Sequence, residues 1–380
     1  MAWLRLALMP GLPAAHACAL LEAFGNPGAI FGSNNQGHVT AAGGTHKERL
    51  TTLCGPAMAA AVLEPPGGFF ALALQRSAQW LAGGGNRSLV CMNDADYPAE
   101  LRQLTDAPLV LFAQGRRELL GRAALAIVGS RNATRQGARN AAAFAAHLGR
   151  AGLAIVSGLA AGIDAAAHEG ALDAGAGTVA VLGTGIDVIY PAAHAALTAR
   201  IAAHGLLLSE YAAGSEPLPF HFPRRNRLIA SLSRGVLVVE AAPQSGSLIT
   251  ARLAADLGRE VFAIPGSIHS PLSRGCHQLL RDGAKLVETA QDVLEELRWL
   301  PVPTSTHSTA AAEPQAATSN CTLLDALGHD PADVDTLAAR LGEDAGSVAA
   351  QLLELELARR VERLPGNRYQ RLSWQDGGTP

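Results

Sequence analysis

Between Ala123 and Val287 the chain repeats one unit: a short apolar run, a loop of small residues, then a stretch with helical spacing. The apolar runs are Ala124–Val128, Ala154–Val156, Thr178–Leu182, Leu206–Ser209, Gly235–Val239, Glu260–Ile264 and Lys285–Val287. Helical patterns over Ala138–Arg150, after Asp164 to Leu172, and near Ala193–Ala203 separate them. Buried strands alternating with helices predict an α/β fold with a doubly wound parallel sheet. In such a sheet every strand-to-helix loop leaves from the same edge, and ligands bind there at a switch point. Gly129-Ser130-Arg131-Asn132, Ser157-Gly158 through Gly162 to Asp164, Gly183-Thr-Gly, the Arg224 region and Ser245-Gly246-Ser247 are therefore expected on one edge. Small residues there let a ligand approach the backbone, and helix starts offer N–H groups to anions such as phosphate.

The loop that most departs from a plain connection is His221-Phe-Pro-Arg-Arg-Asn-Arg-Leu-Ile-Ala-Ser-Leu-Ser-Arg234, with no Asp or Glu between Pro217 and Val239. Pro223 suits the first turn of a helix, where its missing N–H costs nothing. Leu228, Ile229 and Leu232 would form the apolar face, with Arg225 and Asn226 beside the helix start. Arg224, Arg225 and Arg227 suit phosphate, and Phe222, read as just outside the helix, offers a flat face for a base. The plain alternative is a solvated basic helix with Phe222 in the core.

At 380 residues the chain has room for two or three domains, and a formal net charge of −3 means that any nucleic-acid role rests on a local patch. Cys18, Cys54, Cys91, Cys276 and Cys321 are scattered with no C-x-x-C pair, which argues against a disulfide framework or zinc site and for a reducing cytoplasm. The apolar stretch from Trp3 to Leu21 imitates a signal peptide, but Pro10, Gly11 and Pro13 break it, so it reads as a short helical pair. No membrane span is expected.

Residues 1–85 read as a small helical domain, with spacing at Leu4 to Leu8, Ala17 to Phe24 and Met58 to Val62, breaks at Gly25-Asn-Pro-Gly28 and Pro65-Pro-Gly-Gly68, and a loop over Asn34 to Gly44. Residues 86–298 hold the sheet, opened by strands at Ser88–Met92 and Pro108–Phe112. Residues 299–320 are Pro-, Thr-, Ser- and Ala-rich, a linker. In 321–374, helices at Leu323–Leu327, Val334–Leu341 and Val348–Leu357 and a hairpin around Pro365-Gly-Asn367 suggest a winged helix-turn-helix. Its presumed recognition helix carries Gln351, Glu354 and Glu356 and no Lys or Arg, which disfavours phosphate contact.

A dinucleotide fingerprint is missing, because Gly129-Ser-Arg-Asn-Ala-Thr134 follows the first strand and the next ends in Ser157-Gly158. There is no Walker lysine loop, and no cofactor or metal is expected. The acid–base groups on the edge are Asp164, His168, Asp187, His194, His221 and Glu240; none belongs to a legible triad, and Glu240, at a strand end, is the strongest exception.

Taken in order, Ile127-Val-Gly-Ser-Arg131, Ser157-Gly-Leu-Ala-Ala-Gly-Ile-Asp-Ala-Ala-Ala-His168, Val181-Leu-Gly-Thr-Gly-Ile-Asp-Val-Ile-Tyr-Pro191, Phe222-Pro-Arg-Arg-Asn-Arg-Leu-Ile-Ala230, Gln244-Ser-Gly-Ser-Leu-Ile-Thr-Ala251 and Pro265-Gly266 resemble the DNA-processing protein family DprA (Smf). The resemblance implies an extended Rossmann-like doubly wound sheet with a small N-terminal helical (SAM-like) domain and a C-terminal winged-helix-like domain. It implies a non-enzymatic binder of single-stranded DNA that protects incoming strands in natural transformation and helps load a RecA-type recombinase, commonly as a homodimer. Arg131 and Phe222 to Arg227 would line the DNA groove. The chain departs from the family at Gly275-Cys-His-Gln-Leu-Leu280, where many members carry Asn. The runner-up is a nucleotide hydrolase of the LOG (lysine-decarboxylase-like) group acting on nucleoside monophosphates. That group's P-G-G-x-G-T-x-x-E element survives only as Pro265-Gly-Ser267 and Gly246-Ser-Leu-Ile-Thr250, without the Glu. Because the Val348–Leu357 helix is acidic, a chain ending near Trp299 is expected to keep its single-strand affinity to within about tenfold, or 1.4 kcal/mol, in a fluorescence titration.

Overall fold

The computed structural model describes residues 1–31, 45–299, 320–328, 331–357 and 360–371. The expected loop over 34–44 falls outside the described residues, and so does almost all of the expected linker. The N-terminal helices are α1 (Ala2–Ala7), α2 (Ala14–Phe24), α3 (Pro27–Phe31), α4 (His46–Cys54), α5 (Pro56–Leu63) and α6 (Gly68–Ala82). The sheet region runs β1 (Arg87–Cys91), α7 (Ala99–Arg102), β2 (Val110–Gly115), β3 (Ala124–Val128), α8 (Arg135–Arg150), β4 (Ala154–Ser157), α9 (Ile163–Asp173), β5 (Thr178–Val181), α10 (Ala195–His204) and β6 (Leu206–Ser209). It continues through α11 (His221–Ser231), β7 (Gly235–Val238), α12 (Gly246–Asp256), β8 (Glu260–Ala263), α13 (Arg274–Arg281), β9 (Lys285–Leu286) and α14 (Ala290–Glu296).

The nine strands lie in the order β1-β2-β6-β5-β4-β3-β7-β8-β9. From β6 to β9 every pairing is parallel. The two strands before Ala123 extend the sheet antiparallel, β2 on β6 and β1 on β2. Strands β3 to β7 are buried along their whole length and mostly apolar because helices cover both faces, the exceptions being Ser157, Thr178 and Ser209. Ala124, Ala126 and Val128 of β3 face one core with Val236 and Val238 of β7 and with Leu228, Ile229, Leu248 and Ala251 from α11 and α12. Leu125 and Ile127 face the other with Phe144, Leu148, Ile163 and Val293 from α8, α9 and α14.

β4, β5 and β6 spread to one side of β3, and β7, β8 and β9 to the other. The switch point is the gap between the β3 and β7 ends, where neighbouring loops turn to opposite faces and leave a crevice.

The N-terminal helices and the sheet form one compact unit, residues 1–302. Helices α2 to α5 share their own core around Leu20, Ile30, Leu50 and Val62. Apolar spacing did not reveal α3, α4 or α6. α4 was nonetheless legible, since Thr45 and Glu48 form a reciprocal capping box, the T-x-x-E signature of a helix start. Among the described residues no single helix is long and apolar enough to cross a membrane.

The second unit, residues 303–380, contains α15 (Asn320–Leu327), β10 (Ala332–Asp333), α16 (Val334–Leu341), α17 (Ala345–Leu357), β11 (Val361–Leu364) and β12 (Arg368–Arg371). The expected hairpin is β11–β12, and β10 adds a third strand to it. Leu323, Leu337, Val348, Leu352 and Tyr369 form its core.

Phe262 of β8 is fully buried and packs against Gly235 of β7, where an added Cβ would come within 2.8 Å of its ring. Phe262→Ala is expected to cost about 3–5 kcal/mol of stability, read as a shift of the urea midpoint.

Candidate functional site

The crevice at the switch point is a cleft of about 650 Å³. The loop after β3 supplies Gly129, Ser130, Arg131 and Asn132, and the loop after β7 with the start of α12 supplies Gln244, Ser245, Gly246, Ser247 and Thr250. Phe222, Pro223, Arg225 and Asn226 come from α11, Ala160 from the connection between β4 and α9, and Asp164 from the first turn of α9. Helix α12 opens on the cleft with Ser245 as its cap, accepting from Ser247 N at 3.3 Å. Asn226 Nδ2 donates to Gly246 O at 3.4 Å, tying the middle of α11 to the start of α12. Two helix starts thus border one cavity, which favours an anion.

Arg225 forms part of the cleft floor and is only 4 % exposed. Its Nη1 donates to Gly158 O at 2.7 Å and to Val181 O. It therefore binds the carbonyls at the ends of β4 and β5 rather than standing free for phosphate, as its place beside the helix start had suggested. Burial pulls its pKa down to about 10, opposed by Asp164, so the guanidinium stays charged at neutral pH. Asp164 is itself buried and accepts from Gly158 N at 3.0 Å and Ala160 N at 3.4 Å. Burial raises its pKa, and Arg225 and these N–H groups oppose the rise.

The loop between these anchors is tight. Leu159 is held at φ 56, a conformation that costs a residue with a Cβ. Gly162 has φ 78, and a Cβ there would meet Ser130 O at 2.3 Å. At Gly158 a Cβ would fall 2.4 Å from Arg225 Nη2. Ser157, Gly158, Gly162 and Gly183 thus lie behind the cleft wall rather than on it, Ser157 by donating to Ile127 O at 2.6 Å.

Arg227 does not reach the cleft. It is buried, with Nη2 at 2.5 Å from Glu210 Oε2 and Nε at 3.0 Å from Asp106 Oδ2. Burial raises the pKa of Glu210, opposed by Arg227 and then Arg224. Arg224 is exposed on the same side of the helix, 3.9 Å from Glu210. The acid-free run was misleading because its counter-charges come from outside it. Phe222 is the second residue of α11, not a residue outside it. The helix begins two residues ahead of Pro223, where first-turn N–H groups need no partner. Stacking of His221 on Tyr211, with centroids 3.9 Å apart, holds that start in place.

Arg131 is the exposed arginine of the cleft wall, its guanidinium 5.6 Å from the Phe222 ring centroid. The acid–base groups are occupied elsewhere. Glu240 accepts from Thr134 N at 2.9 Å and from its hydroxyl, at the start of α8. Asp187 accepts from Gly214 N at 2.7 Å, His194 Nδ1 lies 3.0 Å from Leu159 O, and the buried His168 Nδ1 lies 2.7 Å from Thr178 Oγ1. Cys276 is fully buried and His277 Nε2 lies 2.9 Å from Gly266 O. The sequence did not single out Tyr190, Pro217, Pro219, Gln244 and Thr250 as cleft residues; Gln244 adjoins a loop already expected on that edge, whereas Pro217 and Pro219 carry no signal.

Residues 88–298 match the family described as DNA recombination-mediator protein A, and residues 307–367 match the DprA winged helix domain. Protein Smf of Escherichia coli is 42% identical over 304 residues, 79% of this chain and 81% of that protein. DNA processing protein DprA of Streptococcus pneumoniae is 52% identical over 206 residues, 54% of this chain and 73% of that one. Its crystal structure superposes with a TM-score of 0.65 at 39% identity, covering 78% of this chain and 98% of that chain. DNA processing protein A of Helicobacter pylori, a structure concerned with that protein's single-stranded DNA binding mode, gives a TM-score of 0.51 at 31% identity, covering 56% of this chain and 96% of that one.

Because Arg225 satisfies two strand-end carbonyls and faces buried Asp164, Arg225→Ala is expected to destabilise the fold by about 3–5 kcal/mol. Arg131→Ala should stay within about 1 kcal/mol of wild type. Paired urea melts separate the two.

Proposed function

The chain belongs to the DNA recombination-mediator protein A family, also called DprA or Smf, and we infer that its switch-point cleft holds single-stranded DNA. The observation that carries this reading is an exposed arginine, Arg131, on a cleft whose floor is the charged, buried Arg225 and whose rim includes the start of α12. Charge-assisted bonds from a guanidinium and dipoles from helix starts suit a phosphate. Aromatic and amide side chains beside them suit an unpaired base, which a duplex keeps stacked inside. Binding of this kind is tolerant of sequence.

The family resemblance supports the finer reading. The protein protects incoming strands during natural transformation and helps to load a RecA-type recombinase, as a homodimer in the cytoplasm. We read it as non-enzymatic, because Asp164, Asp187, Glu240, His168 and His194 all hold backbone or hydroxyl groups of the fold. Hydrolysis of a nucleoside monophosphate would need a free carboxylate at the cleft, and Glu240 is committed to Thr134. Release of free base from nucleoside monophosphates by the purified protein would overturn that part.

Single strands are expected to bind more tightly than duplex, and affinity should fall steeply as salt rises. Arg131→Ala should weaken binding by about 1.5–3 kcal/mol, as for a charge-assisted bond. Arg259, which lies in the separate cavity with Arg122, Arg234 and Glu100, should tolerate alanine. Anisotropy titrations of both variants at two salt concentrations check this. Equal affinity for duplex, or equal losses in both variants, would rule out the cleft.

A further inference from the structure

Phe222, the aromatic residue that the sequence nominates to meet a base, is half-buried and already has partners on its ring. Arg131 lies against its ring, Tyr190 packs on it with centroids 5.4 Å apart at 42°, and its edge sits close enough to Gly183 that a Cβ there would approach to 2.8 Å. Tyr190 is different. It lines the same cleft and is 43% exposed, beside the equally exposed Ile189. What sets Tyr190 apart from an ordinary exposed aromatic is its place on the cleft wall beside Arg131 and Phe222, where its ring offers an amphipathic face.

The loop that presents Tyr190 is pinned throughout. Thr184 Oγ1 donates to Val188 O at 2.8 Å, and Gly185 N donates to Ser215 O at 2.9 Å. Asp187 accepts from Gly214 N at 2.7 Å, and His194 N donates to Pro191 O at 3.0 Å. A ring held this way loses little freedom when something stacks on it. The exposed charge beside it is the positive one of Arg131, Arg225 being balanced by the buried Asp164, and it complements the phosphates that accompany a nucleotide base.

We propose that Tyr190 is the stacking platform for an unpaired base of the bound strand, with Phe222 as the support beneath it and Arg131 serving the adjoining phosphate. This rests on the single-strand reading and names the residue that distinguishes a strand with bases from a bare sugar–phosphate chain.

The test titrates wild type, Tyr190→Ala and Tyr190→Phe against labelled oligothymidylate and against an abasic strand of equal length. Tyr190→Ala should bind oligothymidylate roughly tenfold more weakly, within the range for one base–aromatic stack, and bind the abasic strand like wild type. Tyr190→Phe should match wild type on both. Equal losses on the two strands, or no loss on oligothymidylate, would overturn the proposal. Should the alanine variant fail to fold, photo-crosslinking of the wild-type protein to a 5-iodouracil strand decides instead. An adduct on Tyr190 is expected, and adducts confined to other cleft residues would overturn the assignment. Wild type that binds both strands equally would refute the stacking role and leave the phosphate cleft standing. Wild type that binds neither would remove the single-strand reading itself, and the proposal with it.

Discussion

The guanidinium of Arg225 is the interaction on which the cleft depends. Two parallel strands, β4 and β5, end side by side, and Arg225 donates to Gly158 O and Val181 O there. A buried charge is tolerable only with such partners and an opposing charge, and Asp164 supplies the latter. Asp164 in turn accepts from Gly158 N and Ala160 N, closing a ring of contacts around one strained loop. The result is a rigid floor built on a guanidinium–carboxylate pair. A single residue thus serves strand termination, loop geometry and the electrostatics of the site.

This arrangement divides the arginines of one short helix into three roles. Arg225 points inward to the sheet edge, Arg227 is buried against Glu210 and Asp106 on another side, and Arg224 remains exposed. Helical geometry sets Arg225 apart, since residues one and two apart face different directions, whereas Arg224 and Arg227, three apart, share the side next to Glu210 and differ in burial. The exposed cleft charge then falls to Arg131, on a different loop. An arginine cluster in a sequence is therefore not one patch in space.

The glycines and serines of the loops divide in the same way. Gly129, Ser130, Ser245, Gly246 and Ser247 line the cleft, whereas Ser157, Gly158, Gly162 and Gly183 allow close approach behind it. The second group shapes the cavity without touching its contents. Gly158 leaves room for the Arg225 guanidinium, and Gly183 leaves room for the Phe222 ring. A larger side chain at either position would displace a residue that does face the ligand.

Strand order by strand length was not written in the chain, but the class of fold was. Short apolar runs at β3 to β8, most of them followed by small residues and a helical stretch, allow little except a doubly wound parallel sheet, because strands buried on both faces read as near-continuous apolar runs. That alone placed the loops after Val128, Ser157 and Val238 on one edge. The motifs there were specific enough for the family to be recognised, and the hairpin and three helices of the second unit followed from turn residues and spacing. What only the tertiary structure decided was which side chains face the cavity. Glu210 and Asp106 take Arg227, Thr134 takes Glu240, and Tyr190 packs on Phe222. Each partner is distant in sequence or on another element. Local periodicity reports which face of an element is apolar, whereas the partner of a charge or a ring is set by the packing of elements that the chain brings together only on folding.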